Sequence, residues 1–190
     1  MLRNRYATDK KYRKRVDSLA GRKGSIWRAV AWICGGNRLA GKKAIENLVR
    51  TPLRLPKASG SYGNGMNMAI AYDLLENHPD WTTEMRQRVN LLLQQSLQES
   101  FRVLDGKSAS LWHGRFQLAC ATWVVASVLD DMEDENRQLL SRAQSHFLDA
   151  IDAILTSGGW PEGYSYWINN RAFPFAVACM AHMNTVDVPD

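Results

Sequence analysis

The side chains best equipped to act on a ligand lie in four short Gly- and Ser-rich stretches: GRKGSIW at 21–27, ASGSYGNG at 58–65, GKSASLWHG at 106–114 and SGGWPEGYSYW at 157–167. Together these carry Trp27, Tyr62, Trp112, His113, Trp160, Tyr164, Tyr166 and Trp167. Aromatic rings in a core helix need no special account. Rings that recur in polar, Gly-rich loops do, because exposed rings are costly unless something stacks on them. Sugar rings are apt partners, bases are the alternative, and packing within the loops is the plain reading. Polar groups accompany the rings: Asn64 and Asn67 could bind hydroxyls, and Arg115 and Glu162 add charge. His113, where a helix should begin, is either a cap or a catalyst. There is no HExxH, no paired cysteines and no clustering of carboxylates on one rim, the acidic run Asp130, Asp131, Glu133, Asp134 and Glu135 reading as a solvated turn between helices, and neither a P-loop nor a dinucleotide fingerprint is present. No metal or cofactor is expected.

These stretches are spaced by helices. Over 83–104, Met85, Val89, Leu92, Leu93, Leu97, Phe101 and Leu104 fall on one helical face, with Thr82 as a cap, Glu84 in the first turn and Asp105-Gly106 as a stop. Segment 134–155 has a similar stripe of Leu140, Ala143, Phe147, Ile151 and Ile154, and a shorter helix over 39–50 ends ahead of Pro52. Residues 26–34, 66–75, 116–129 and 175–183 are instead apolar on nearly every face. Such a helix must be covered all round, whereas an amphipathic one can form an outer surface. Inner and outer helices therefore alternate, with inner starts near 26, 66, 113 and 166 giving spacings of 40, 47 and 53 residues. The expected fold is all-α: one domain over 1–190, an array of antiparallel helical hairpins forming part of an (α/α) toroid, led by a basic segment over 1–24. The outer-to-inner turns would gather the aromatic stretches on one rim.

The stretch LWHGRFQLACATWVVASVLDD, followed by GGWPEGYSYW, resembles the amino-terminal toroid of heparinase II/III-like and alginate-lyase-like polysaccharide lyases. IAYDLL at 70–75 looks like the family's second hairpin, and the likeness runs from about residue 8 to 184. The resemblance implies cleavage of an acidic, uronate-containing glycan by β-elimination. It implies His113 as a partner for the substrate carboxylate and Tyr166 as base, acid or both, with Tyr164 its rival. Glu162 would hold donors in place, while Trp112, Trp160, Tyr62, Arg115, Asn64 and Asn67 would line the substrate groove. A periplasmic or secreted location is implied as well. The chain departs from the family in having Trp112 where many members place Asn before the His. It holds roughly three and a half hairpins, fewer than a closed ring needs, and no β-sandwich, so a fragment or truncated relative is expected.

Composition narrows the alternatives. No apolar run reaches the roughly 18–20 residues of a membrane span; 116–129 comes nearest but contains Gln117, Thr122 and Ser127. The basic start is not followed by the apolar segment of a signal peptide. Cys34, Cys120 and Cys179 read as small buried thiols. Residues 1–28 hold ten Lys/Arg against Asp9 and Asp17, and the rest fourteen against seventeen Asp/Glu. Such a segment attracts polyanions, or is a solvated helix face. Nucleic acid is not the expected partner, since the aromatic stretches lack interleaved Lys/Arg. A non-catalytic glycan-binding scaffold and a toroidal glycoside hydrolase are the competing functions. The hydrolase would need two carboxylates flanking one bond, and only Glu162 is obviously placed.

Overall fold

The computed structural model describes residues 2–57, 61–106, 113–129, 134–157 and 172–185. The fold is all-α, and among the described residues there is no strand. In chain order the helices are α1 (Leu2–Thr8), α2 (Lys10–Ala20), α3 (Ser25–Gly35), α4 (Arg38–Arg50), α5 (Gly65–Leu74), α6 (Thr83–Asp105), α7 (His113–Leu129), α8 (Asp134–Ser157) and α9 (Ala172–Thr185). The helices expected from periodicity are all present. The inner-helix start expected near 166 falls outside the described residues, and the basic leader, α1 and α2, is helical. The chain divides into two compact units, Met1–Pro52 with Asn67–Leu92, and Leu53–Met66 with Leu93–Asp190.

In the first unit, α3 and α4 form a hairpin through two residues. Gly36 takes the left-handed conformation (φ 69°), and its N–H donates to the Trp32 carbonyl at 2.8 Å. Asn37 then caps α4 by accepting from the Ala40 N–H at 3.0 Å. Small residues line the contact: Ala29, Ala31 and Cys34 are buried on α3, and Ala40, Gly41 and Ala44 on α4. Helices α1 and α2 pack against α3 and against each other. Asp9 caps α2 by accepting from the Tyr12 N–H at 2.9 Å, and the Tyr6 hydroxyl donates to Asp17 at 2.6 Å.

A buried histidine holds the α5–α6 turn against α4. The His78 ring meets Trp32 edge-on at 4.4 Å, lies 3.2 Å through Nε2 from the Arg38 carbonyl, and accepts the Asp80 N–H on Nδ1 at 3.2 Å. Those bonds together require the tautomer that carries its proton on Nε2. Arg38 also pairs with Asp80, and this hydrogen-bonded guanidinium holds the Asp80 carboxyl below its ordinary range. Nearby, the Trp81 indole N–H donates to the Leu75 carbonyl at 2.8 Å, and the Thr82 hydroxyl caps α6 at the Met85 N–H, 3.2 Å away.

In the second unit α7 is almost wholly buried, as expected for a helix apolar all round, and it contacts α8 and α9. Trp123 stacks nearly parallel to Phe147 of α8, with centroids 6.2 Å apart, and Phe116 lies 5.7 Å from Phe175 of α9. Val103 and Leu104 of α6 form a cluster with Leu118 and Ala119 of α7.

Close packing at Gly41 gives a direct test. A Cβ there would lie 2.4 Å from the His78 ring, which is clamped on three sides. Gly41→Ala should therefore destabilise the protein by about 1–3 kcal/mol, despite the roughly 1 kcal/mol that alanine gains over glycine inside a helix. Chemical denaturation measures this; a stabilised variant would show that the ring yields easily.

Candidate functional site

The candidate groups that the structure describes best lie around the turn from α6 to α7, within the second unit. His113 is the first residue of α7, and Arg115 follows on its first turn. Arg115 is exposed and its guanidinium donates one N–H to the Leu104 carbonyl at 3.0 Å, in the last turn of α6. A cation suits that position because the last carbonyls of a helix lack intrahelical partners and carry the negative end of its dipole. Among the described residues this bond uses one of the five guanidinium N–H groups, and the others meet no partner there.

The last residue of α6 carries a charge cluster. One oxygen of Asp105 pairs with Arg142, and the other lies 3.1 Å from Nε2 of His146. Arg142 and His146 are one turn apart on α8, and the Arg142 guanidinium also covers the Phe101 ring at 4.3 Å. A carboxylate at a helix C-terminus opposes the dipole, and these two partners offset that while tying α8 to α6. From the sequence Asp105 reads only as a stop, and His146 lies off the apolar stripe of its helix. The available signal is weak: a basic residue and a histidine at i, i+4, next to the buried stripe of Ala143 and Phe147.

In the same unit, the segment before α5 is a closed loop. Asn64 is buried, its side-chain oxygen accepts the Arg54 N–H at 2.7 Å, and its own N–H donates to the Arg54 carbonyl at 3.1 Å. Gly63 has φ 69°, and a Cβ there would lie 2.0 Å from the Arg54 oxygen. Tyr62 is half-buried against the cluster of Val103, Leu104, Leu118 and Ala119. Asn64 and Tyr62 therefore shape this loop, the plain packing reading, with the Asn64 oxygen committed to backbone. Asn67, which belongs to the first unit, is exposed. So is Trp27 there, with the Arg22 guanidinium over its ring at 5.3 Å.

Trp112, Trp160, Glu162, Tyr164, Tyr166 and Trp167 lie outside the described residues, as does the side chain of His113. Two open grooves lie elsewhere. One of about 420 Å³ in the second unit is lined by Leu53, Leu55, Gln95, Gln98, Glu99 and Arg102. One of about 750 Å³ in the first unit includes Arg38, Leu39, Lys42, Asp80 and Trp81. Neither is lined by a residue expected from the sequence. Cys34 and Cys120 are buried and Cys179 partly so; burial raises the pKa of both the Cys120 and Cys179 thiols, which disfavours thiolate chemistry. Among the described residues no three His, Cys, Asp or Glu side chains gather to hold a metal, and no helix is long and apolar enough to cross a membrane.

Comparison with family models, with curated proteins and with solved structures gives no match to this chain.

The two asparagines separate loop structure from ligand contact. Asn64→Ala removes the acceptor of the Arg54 N–H in a partly buried loop and should cost about 1 kcal/mol of stability. Asn67→Ala, at an exposed position, should stay within about 0.5 kcal/mol of wild type. Parallel urea melts measure both, and equal midpoints for Asn64→Ala and wild type would refute the clamp.

Proposed function

We propose that this chain is the α/α-toroid part of a polysaccharide lyase that cleaves an acidic, uronate-containing glycan by β-elimination. One observation of register carries the reading. The helices α5 and α7 are each entered from a Gly-rich stretch bearing an aromatic ring, α3 carries Trp27 in its first turn after Gly24, and His113 is the first residue of α7. The likeness of LWHGRFQLACATWVVASVLDD and GGWPEGYSYW to the heparinase II/III-like and alginate-lyase-like enzymes supports it further. The reading carries with it a periplasmic or secreted setting.

The chemistry fits the residue types. A base takes the proton α to the uronate carboxylate, the electron pair forms a carbon–carbon double bond, and the bond from C4 to the bridging oxygen breaks. That oxygen leaves with a proton. The proton first removed is barely acidic until the carboxylate is neutralised, because the intermediate is a dianionic enolate. Donors and cations aimed at the carboxylate are the main electrostatic device, and His113 and Arg115 are given this role. Tyr166 moves the proton. A phenol ionises only at about pH 10 in water, so it needs positive charge close by to act as a base. Glu162 holds donors in place, and Trp112, Trp160 and Tyr164 bind sugar rings. Tyr62 and Asn64 shape the loop before α5.

The assay is the appearance of the unsaturated, ultraviolet-absorbing sugar end that elimination leaves and hydrolysis does not. Tyr166→Phe keeps the ring and removes the hydroxyl, so turnover should fall by roughly 10²–10⁴-fold with substrate affinity little changed. His113→Ala should lower turnover too, and Tyr164→Phe should have a modest effect. Only saturated ends from wild type would identify a hydrolase, and no cleavage at all a binding scaffold. Abolition by Tyr164→Phe alone would transfer the catalytic role to that residue.

A further inference from the structure

Charge is divided unevenly between the two units. The first carries sixteen Lys/Arg against seven Asp/Glu, a balance of +9, and the second eight against twelve, a balance of −4. Within the first unit the cations divide again by what they touch. The guanidinium groups of Arg3, Arg5, Arg13 and Arg22 lie over the rings of Trp32, Tyr12, Tyr6 and Trp27. Arg3 and Arg13 also donate to backbone carbonyls. These arginines build the fold.

Lys10, Lys11, Lys14 and Arg15 of α2 behave differently. All four are exposed, and among the described residues their side chains meet no partner. At 3.6 residues per turn they share one face with Ser18, opposite Tyr12, Val16 and Leu19. Lys10 with Lys14, and Lys11 with Arg15, are like-charged pairs at i, i+4, which destabilise an isolated helix. The acids of this region are engaged elsewhere: Asp9 caps the helix and Asp17 accepts from Tyr6. The unit thus keeps a repulsive face that an anionic ligand would relieve.

We propose that this face of α2 is a docking surface for an acidic polysaccharide chain. The identity of the polymer rests on the lyase reading above; the surface itself rests on the free cations. The face has no apolar residue to insert into a bilayer, since the apolar side of α2 is turned inward, with Val16 buried. It also lacks a ring on which the bases of a single strand could stack, because Tyr6 and Tyr12 are each covered by a guanidinium. What remains is a row of point charges suited to carboxylates or sulfates spaced along a flexible chain.

The test compares retention of the whole chain on an immobilised polyuronate, a neutral polymer of similar length and duplex DNA, at low and physiological ionic strength. Lys10→Gln/Lys14→Gln should weaken binding to the polyuronate at least roughly tenfold at low ionic strength and flatten its salt dependence. Lys43→Gln/Arg50→Gln removes two exposed charges from α4 in the same unit and should change binding less than about threefold. Circular dichroism should show both variants folded. Equal losses from the two pairs would overturn the proposal, because net charge alone would then account for binding. Tighter binding to duplex DNA than to the polyuronate at physiological ionic strength would also overturn it, in favour of a phosphate surface. Loss of polyuronate binding in the α2 variant, in a protein that generates no unsaturated ends, would sustain the docking surface while removing the catalytic reading.

Discussion

Trp123 has no solvent exposure, and its indole N–H donates to the carbonyl oxygen of Ala178 at 3.1 Å. Its ring lies flat against Phe147 and takes the edge of His182 at 5.8 Å. One side chain therefore joins α7 to both α8 and α9. Apolar burial alone would let those helices slide, because it is nearly indifferent to direction. The single polar atom of the indole is not indifferent. Left unpaired in the interior it would cost about 1–3 kcal/mol, so α9 is held in the register that presents the Ala178 carbonyl. In sequence α9 follows the stretch that carries Trp160, Glu162, Tyr164 and Tyr166.

The first unit solves a similar problem with smaller parts. Alanines and Gly41 let α3 and α4 approach closely, and the space above Gly41 is filled by the His78 ring. His78 is polar and nearly unexposed, yet both its nitrogens are engaged by backbone groups of Arg38 and Asp80. A ring of that kind cannot shift without leaving a buried polar atom unpaired. The α5–α6 turn is thereby located by hydrogen bonds as much as by its proline.

Periodicity made the helices legible because their stripes are long and their caps are local. Thr82 caps α6 at Met85, and α6 stops at Asp105, as the sequence implies. The leader was harder to read. Val16 is its one buried side chain, and its helices are held by guanidinium–ring contacts and the Tyr6–Asp17 bond, none of which has a periodic signature. The candidate site was less legible still. Spacing gives the order of aromatic stretches along the chain, but it does not say which rings pack. Tyr62 lies against a core cluster and Asn64 closes a loop, although both look in sequence like ligand groups. Asp105 with His146 spans 41 residues, and a pair so remote is invisible to any local pattern.

Charge acts in this protein at two ranges, and they need not agree in sign. Attraction of a polyanion from solution follows the summed charge of a surface and weakens beyond a Debye length of about 8 Å at physiological ionic strength. On that count the first unit attracts and the second, with its balance of −4, does not. In the proposed elimination, neutralising one carboxylate would instead depend on donors within hydrogen-bond reach of it. There the second unit's net charge matters little, because Asp105 already has Arg142 and His146 as partners. Arg115 donates to a neutral carbonyl at Leu104, a contact that leaves its positive charge uncompensated among the described residues. A net-acidic unit can thus hold a locally cationic site, provided each acid nearby has its own partner.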